Sequence, residues 1–460
     1  MTAITFDLLI KRLVLASLVL IGAAGVYSAR GLYSDGSFWL MEMLPRGGFY
    51  IFDIHRAYAQ ILVQAPVALA IWLNVVDLNT LIRIHSFGFV GIPLIFWLAA
   101  LAIHIRTKLF WFFLIGFTVS YLRSNFFAAG EFSTAYALTA FCTAILLKER
   151  VSAWLLVCLL FSAIVLIHSY EATVFLGGFL ASLTALRIVK QSTDTKAVKI
   201  SLALALVCFF ISFYTGAKST FFDRPYDGQG TANLGAFTQL HFLYLLCMPA
   251  LLAITCINRN KPINAVLGIF CVVISMAYLV YAFRWDQSQI SFGYQSYAYR
   301  ALCCFLLLGS LLLAVVFHYK PAFLRLDRPS STVFPLSIGT AAFFISLALP
   351  LLFHTYGFYK WAQRFEAEAL AITRHTHIDH TRINSNHGWT HGYNWMWGNP
   401  STSILLRGNA EAIILNNSTH AGFDPVDHET IPRDPLQPIS SGTKSNGQPT
   451  RYVKRSLLFP

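Results

Sequence analysis

Charged side chains are scarce. Asp, Glu, Lys and Arg make up 12% of the 460 residues, whereas a soluble globular protein carries about 25%. So little charge cannot cover a water-facing surface, which excludes a soluble globular protein. Cysteine is missing from the first long loop and from the tail. All eight (Cys142, Cys158, Cys208, Cys247, Cys256, Cys271, Cys303, Cys304) lie within apolar runs. No disulfide framework is implied, and they read as small buried hydrophobes. Acidic residues are the rarer sign, 21 against 34 Lys and Arg, for a formal net charge of +13. That excess does not point to nucleic acid, because the basic residues sit singly or in pairs at the ends of apolar runs. The positive-inside bias of membrane proteins puts them there. A good cleavage site is also lacking after the first run, where Gly25-Val26-Tyr27-Ser28-Ala29-Arg30 follows, so that run reads as an uncleaved helix.

What the chain has instead is hydrophobicity, at 56% of residues. It comes in runs of roughly 17–21 residues, the length a helix needs to cross about 30 Å of hydrocarbon. Basic knots separate them: Lys11-Arg12, Arg106 with Lys108, Lys148 with Arg150, then Arg187, Lys190, Lys196 and Lys199, Arg259 with Lys261, and Lys320 with Arg325 and Arg328. From Arg106 onward two crossings separate each knot from the next, at 109–122 and 132–147, 151–167 and 172–187, 199–215 and 237–257, 263–282 and 300–317. A last crossing at about 333–353 puts the tail outside. Before Arg106 the apolar stretches are three, 13–28, 57–76 and 84–103, and three crossings would invert everything after them. Asp53, Arg56, Gln60 and Gln64 fall at helical spacing on one side of the second stretch, with Phe49, Tyr50 and Phe52 leading in. A polar stripe with aromatic flanks suits the membrane interface, so 49–76 is expected to lie along the outer face. The fold class is therefore all-α and polytopic, about eleven transmembrane helices with one outer juxtamembrane helix. Residues 1–353 form the membrane domain, 354–431 a small extracytoplasmic domain and 432–460 a tail rich in Pro, Ser, Gly and Gln, a composition of flexible segments.

With this threading most acidic residues near the apolar runs, Asp35, Glu42, Asp53, Glu131 and Glu171 among them, land outside. Asp35 follows the first helix closely, where desolvation raises a carboxylate's basicity and suits it to take a proton from a sugar hydroxyl. Asp35-Gly36 is equally a common turn dipeptide. Arg123 and Glu131 bracket one outer boundary. Arg123 is either a phosphate clamp, as Arg56 and Arg284 are by position, or an ion-pair partner. His168 and Glu171 lie three apart between two crossings with almost no loop, and ionisable residues at that depth usually face a cavity. His55, Asp53 and Glu42 complete the expected cavity lining. In the tail, His375, His377, Asp379, His380, His387 and His391 are of metal-ligand type, but no closed zinc spacing with cysteine is present. They read as surface histidines, and no metal site is assigned.

A membrane helix, an outer loop with Asp35 just past it, an interfacial helix, and a second acidic residue two crossings later resemble the GT-C superfamily of integral membrane glycosyltransferases. The resemblance covers roughly residues 1–190 and is one of architecture. It implies that Asp35 is the catalytic base and that Glu131 is the second acidic position. It implies a polyprenyl-phosphate-linked sugar as donor, its phosphate met by basic side chains. The first loop has no tight Asp/Glu cluster, which leaves a divalent metal open, and the short tail points to a glycan or glycolipid acceptor. A glycan polymerase or ligase, or a lipid-linked-saccharide transporter, would be the alternative. A transporter needs a polar path to both faces, and the inner face has none. Localisation in a bacterial inner membrane, in contact with its lipids and with the C-terminus extracytoplasmic, completes the expectation.

The threading makes one direct prediction. A cysteine placed at Lys108 should not react with an impermeant thiol reagent in intact cells, and labelling there would invert the topology.

Overall fold

Large apolar side chains point outward along most of the helices, with Leu20 67%, Trp154 72%, Val207 55% and Val266 65% exposed. Polar side chains such as Gln60, Thr139, Thr143, Ser212 and Ser275 are fully buried. That is the reverse of a water-soluble surface, and it suits a hydrocarbon solvent in which polar groups must find partners inside the protein. The computed structural model describes residues 3–33, 35–121, 130–191, 194–223, 240–257, 261–285, 297–319, 333–371, 376–377, 399–408, 414–415, 436 and 452.

The described chain is almost entirely helical. In order come α1 (Ala3–Tyr27), α2 (Asp35–Arg46), α3 (Ala57–Trp72), α4 (Leu78–Ser86), α5 (Ile92–Ile103), α6 (Leu109–Tyr121), α7 (Gly130–Leu146), α8 (Ala153–Ile167), α9 (Thr173–Lys190) and α10 (Lys196–Lys218). Then follow α11 (Leu240–Ile257), α12 (Lys261–Trp285), α13 (Tyr297–Tyr319), α14 (Val333–Ala371) and α15 (Asn399–Arg407). Thr376–His377 and Ile414–Leu415 form a minimal parallel pair. Among the described residues seven helices are long and apolar enough to cross a membrane, and four shorter apolar ones accompany them. This is a membrane protein by its helices.

Local signals explain the helix starts. Asp77, Ser152 and Thr195 accept from the backbone nitrogens of Thr80, Leu155 and Val198 at 3.0, 3.4 and 3.4 Å, each satisfying a donor left over at a helix N-terminus. Arg187 does the converse. Its buried guanidinium donates to the carbonyls of Ile145, Leu146 and Lys148 at 3.2, 2.7 and 2.7 Å and faces Asp194 at 3.3 Å. It closes the C-terminal end of α7, where the helix dipole favours a cation.

Helices α4 and α5 join through a turn of π-helix, Phe87–Gly91, into one 26-residue rod. This rod returns the chain to the end of the bundle where α1 began: Lys11 pairs with Asp7 at 2.7 Å and donates to the Thr107 carbonyl at 2.9 Å. Helix α3 lies over the opposite end, its start against the His168 carbonyl and its middle against Gly88. Its last residue, Trp72, donates back to the Gly47 carbonyl at 2.9 Å. The polar stripe of α3 does not face water as its spacing suggested. Gln60 and Gln64 are buried, bonded to the backbone of residues 50–53, while Ile61, Leu69 and Trp72 are exposed. Helix α14 runs through residue 354, where a separate domain was expected to begin, and on to Ala371. Its 39 residues give a rod of about 58 Å, nearly twice a bilayer core. The far half packs on α15 and, through Phe358 and Tyr359, on Tyr33 and Tyr27.

The crossing of α3 over Gly88 leaves no room for a side chain, because a Cβ there would overlap the Val63 carbonyl oxygen. Gly88→Val is expected to cost about 1–3 kcal/mol by overpacking, read as thermal unfolding in detergent. Gly309→Val, at a position with nothing within 4 Å of a new Cβ, should be nearly neutral.

Candidate functional site

Four chain segments converge on Arg56. The turn Ile54–Arg56 is started by Asp53, whose carboxylate accepts from the His55 nitrogen at 3.0 Å. The start of α3 is tied to the α8–α9 link, because the His168 carbonyl accepts from the nitrogens of Tyr58 and Ala59 at 2.9 and 3.3 Å. Glu131 stands on the first turn of α7 and Glu171 just before α9. The guanidinium of Arg56 lies 2.5 Å from Glu171, 3.4 Å from Asp53 and 3.8 Å from Glu131. All four side chains are 12% exposed or less. Gln60, one turn along α3, donates to Glu131 at 3.1 Å and accepts from the Phe52 nitrogen at 3.1 Å.

Three carboxylates share one guanidinium. Burial works against the Arg56 charge, but Glu131 and Glu171 outweigh it and hold its pKa above the ordinary value. Arg56 is thus fully committed, and the phosphate-binding role expected from its position does not fit an arginine enclosed by negative charge. On its open side it stacks over Tyr170 at 5.2 Å. Burial pushes the Tyr170 phenol up to about 12, so it keeps its proton. The Tyr170 hydroxyl accepts from Arg300 at 3.4 Å. His168, edge-on to Tyr58 at 5.1 Å, has its imidazole pKa lowered by burial and then by His55 nearby. It is neutral at neutral pH.

Of the expected site residues, the structure therefore gathers Arg56, Asp53, Glu131 and Glu171, with His55 and His168 at the border. Glu42 is not brought in, since it pairs with Arg46 along α2. Asp35 opens α2, but its side chain and that of Arg284 lie outside the described part, as does Arg123 entirely. Of the tail histidines only His377 is described. Among the described residues no three His, Cys, Asp or Glu side chains are grouped as metal ligands would be. Sequence reasoning missed three participants. Gln60 was visible as part of the stripe. Tyr170 sits inside the His168–Glu171 stretch, where aromatic residues pass for membrane-belt anchors. Arg300 opens an apolar run on the side of the bundle away from the basic knots, and that exception to the charge bias was the signal.

Arg56→Ala leaves three buried carboxylates uncompensated and should destabilise by about 3–5 kcal/mol, the cost of breaking a buried pair from one side. Adding Glu171→Gln should recover part of the loss. A double variant no more stable than Arg56→Ala alone would count against the pairing. No family model matches the chain, and neither a curated protein nor a solved structure matches it.

Proposed function

We propose that the chain is a GT-C-like membrane glycosyltransferase, moving a sugar from a polyprenyl-phosphate donor to a glycan or glycolipid acceptor at the extracytoplasmic face. The observation that carries the reading is the meeting of Glu131 and Glu171 on Arg56 at the end of the bundle where α2 begins. Phe38, one turn after Asp35, packs on Phe52 at 6.5 Å, next to Asp53. The first-loop helix and the carboxylate group therefore border the same space. Carboxylates held in place at a low-dielectric boundary are suited to accept and direct a hydroxyl proton.

In this mechanism Asp35 takes the proton of the acceptor hydroxyl as its oxygen attacks the anomeric carbon. The bond from that carbon to the lipid phosphate breaks with inversion, and the phosphate leaves with the electron pair. Glu131 and Glu171, aligned by Arg56 and Gln60, orient the acceptor; His168 and His55 border it. Arg56 acts here by positioning carboxylates. The eleven-crossing topology belongs to the same proposal, with α3 at the outer interface, the C-terminus outside and a bacterial inner membrane as the setting. The return of the chain from Lys11 to Thr107 supports an even number of crossings before α6, and the four shorter apolar helices supply the remaining spans.

Asp35→Asn keeps the shape of the side chain but removes its charge and basicity. Turnover is expected to fall about 10²–10⁴-fold with donor binding retained, because the loss is confined to the transition state. Single-turnover transfer by monodisperse protein is the measurement, with the donor chosen from the lipid-linked glycans that accumulate when the gene is depleted. Near-wild-type turnover would remove Asp35 from the role.

A further inference from the structure

At the end of α1 away from Lys11, basic and aromatic side chains form a continuous strip across three helices. Arg83 of α4 lies 5.4 Å over the ring of Tyr27. That ring stacks on Tyr359 of α14 at 6.1 Å. Lys360 lies 5.7 Å over Tyr359 and 5.8 Å over Tyr356. Arg83 is exposed and Lys360 half-buried. Lys360 donates to the Gln363 side chain at 3.3 Å, and neither cation meets a carboxylate among the described residues. Helix α1 packs on both α4 and α14, so the strip runs over its last turn from one neighbour to the other. The depth of the strip is set by its helices. The apolar span Phe6–Tyr27 has 22 residues, about 33 Å of helix, and it ends on Tyr27 after about one hydrocarbon core. In α14 the apolar span begins at Leu336, and Tyr359 follows it by about 35 Å. Toward the bilayer centre both helices turn apolar side chains outward. Leu20 lies on the exposed face of Tyr27, and Leu349 and Leu352 lie on that of Tyr356, at helical spacing.

We propose that this strip is a binding site for an anionic phospholipid, whose headgroup rests on Arg83 and Lys360 and whose acyl chains follow α1 and α14 into the bilayer. Cations without a carboxylate partner call for negative charge, and a guanidinium stacked on a ring keeps its N–H edge for charge-assisted bonds to phosphate. The apolar stripes that run down from Tyr27 and Tyr356 call for hydrocarbon at the same place, which a soluble anion lacks. A single basic or aromatic residue at this depth is an ordinary interface anchor. Here two cations and three rings share one surface across three helices. The lipid ties α4 to α14 across α1, and so steadies the root of the α14 segment that runs on to Ala371. The site does not depend on the transferase reading.

The test is a titration of the full-length protein in detergent with phosphatidylglycerol, phosphatidylcholine, farnesyl phosphate and inorganic phosphate, read as thermal unfolding. Phosphatidylglycerol should stabilise the wild type more than zwitterionic phosphatidylcholine does. Its apparent affinity should fall about tenfold or more when Arg83→Gln and Lys360→Gln are combined, as two basic contacts to anionic lipid imply. It should be unchanged in Arg46→Gln, where the charge lost is one that pairs with Glu42 on α2. If the double variant is not monodisperse, Lys360→Gln alone decides, with a fall of about threefold or more. Four results would overturn the proposal. They are equal stabilisation by phosphatidylcholine, undiminished affinity in the glutamine variants, inorganic phosphate acting as well as the lipid, and farnesyl phosphate binding the strip more tightly than phosphatidylglycerol. The last would hand the strip to a sugar donor.

Discussion

A guanidinium taken out of water must be met by negative charge, and three carboxylates taken out of water must be met by positive charge. In this protein the two demands are answered at one point. Arg56 comes from the turn before α3, Asp53 from the residues leading into it, Glu131 from α7 and Glu171 from the α8–α9 link. Removing Arg56 leaves three carboxylates buried without their counter-charge, which is more costly than never having buried them. The interaction therefore holds α3 across the end of the bundle, and α3 in turn carries Gln60 to Glu131 and Gln64 to the backbone of residues 50–53. With three carboxylates to one guanidinium, the group also has a polarity that the rest of that end must accommodate.

The opposite end of the bundle is built on a different principle. Lys11 with Asp7 and the Thr107 carbonyl, and Arg187 with the last carbonyls of α7 and with Asp194, are cations that each meet one carboxylate together with backbone carbonyls. They close helix ends and anchor them. Charge at one end thus closes helix ends, one carboxylate to each cation, and at the other it gathers three carboxylates on one guanidinium. That asymmetry is the strongest physical reason to look for chemistry at only one face.

The helices were legible because a bilayer imposes both their length and the placement of basic residues, so Arg106 and Lys148 could be used as markers before any contact was known. Periodicity also placed Asp53, Arg56, Gln60 and Gln64 on one face, but it carries no information about what that face meets. Next to lipid the usual rule inverts, and the polar side turns inward while Ile61 and Leu69 turn out. Arg56 was misread for a related reason: its pairing with Glu171 spans 115 residues, and no local pattern reports a contact so remote. Tyr170 and Arg300 were hidden because aromatic and basic residues at helix ends have an ordinary explanation as anchors.

The inverted face of α3 has a consequence for the order in which the protein assembles. Gln60 finds Glu131 only after 71 further residues have been made, and Arg56 finds Glu171 only after 115. At about 5–20 residues per second, the typical rate of synthesis, Arg56 waits roughly 6–23 s for its main partner. Throughout that interval the polar stripe of α3 has only Asp53 and the backbone of residues 50–53 to bond within the protein. The newly made helix is therefore a latch with no catch. It closes when the α8–α9 link emerges, so this end of the bundle cannot become rigid until the chain has been made as far as Glu171.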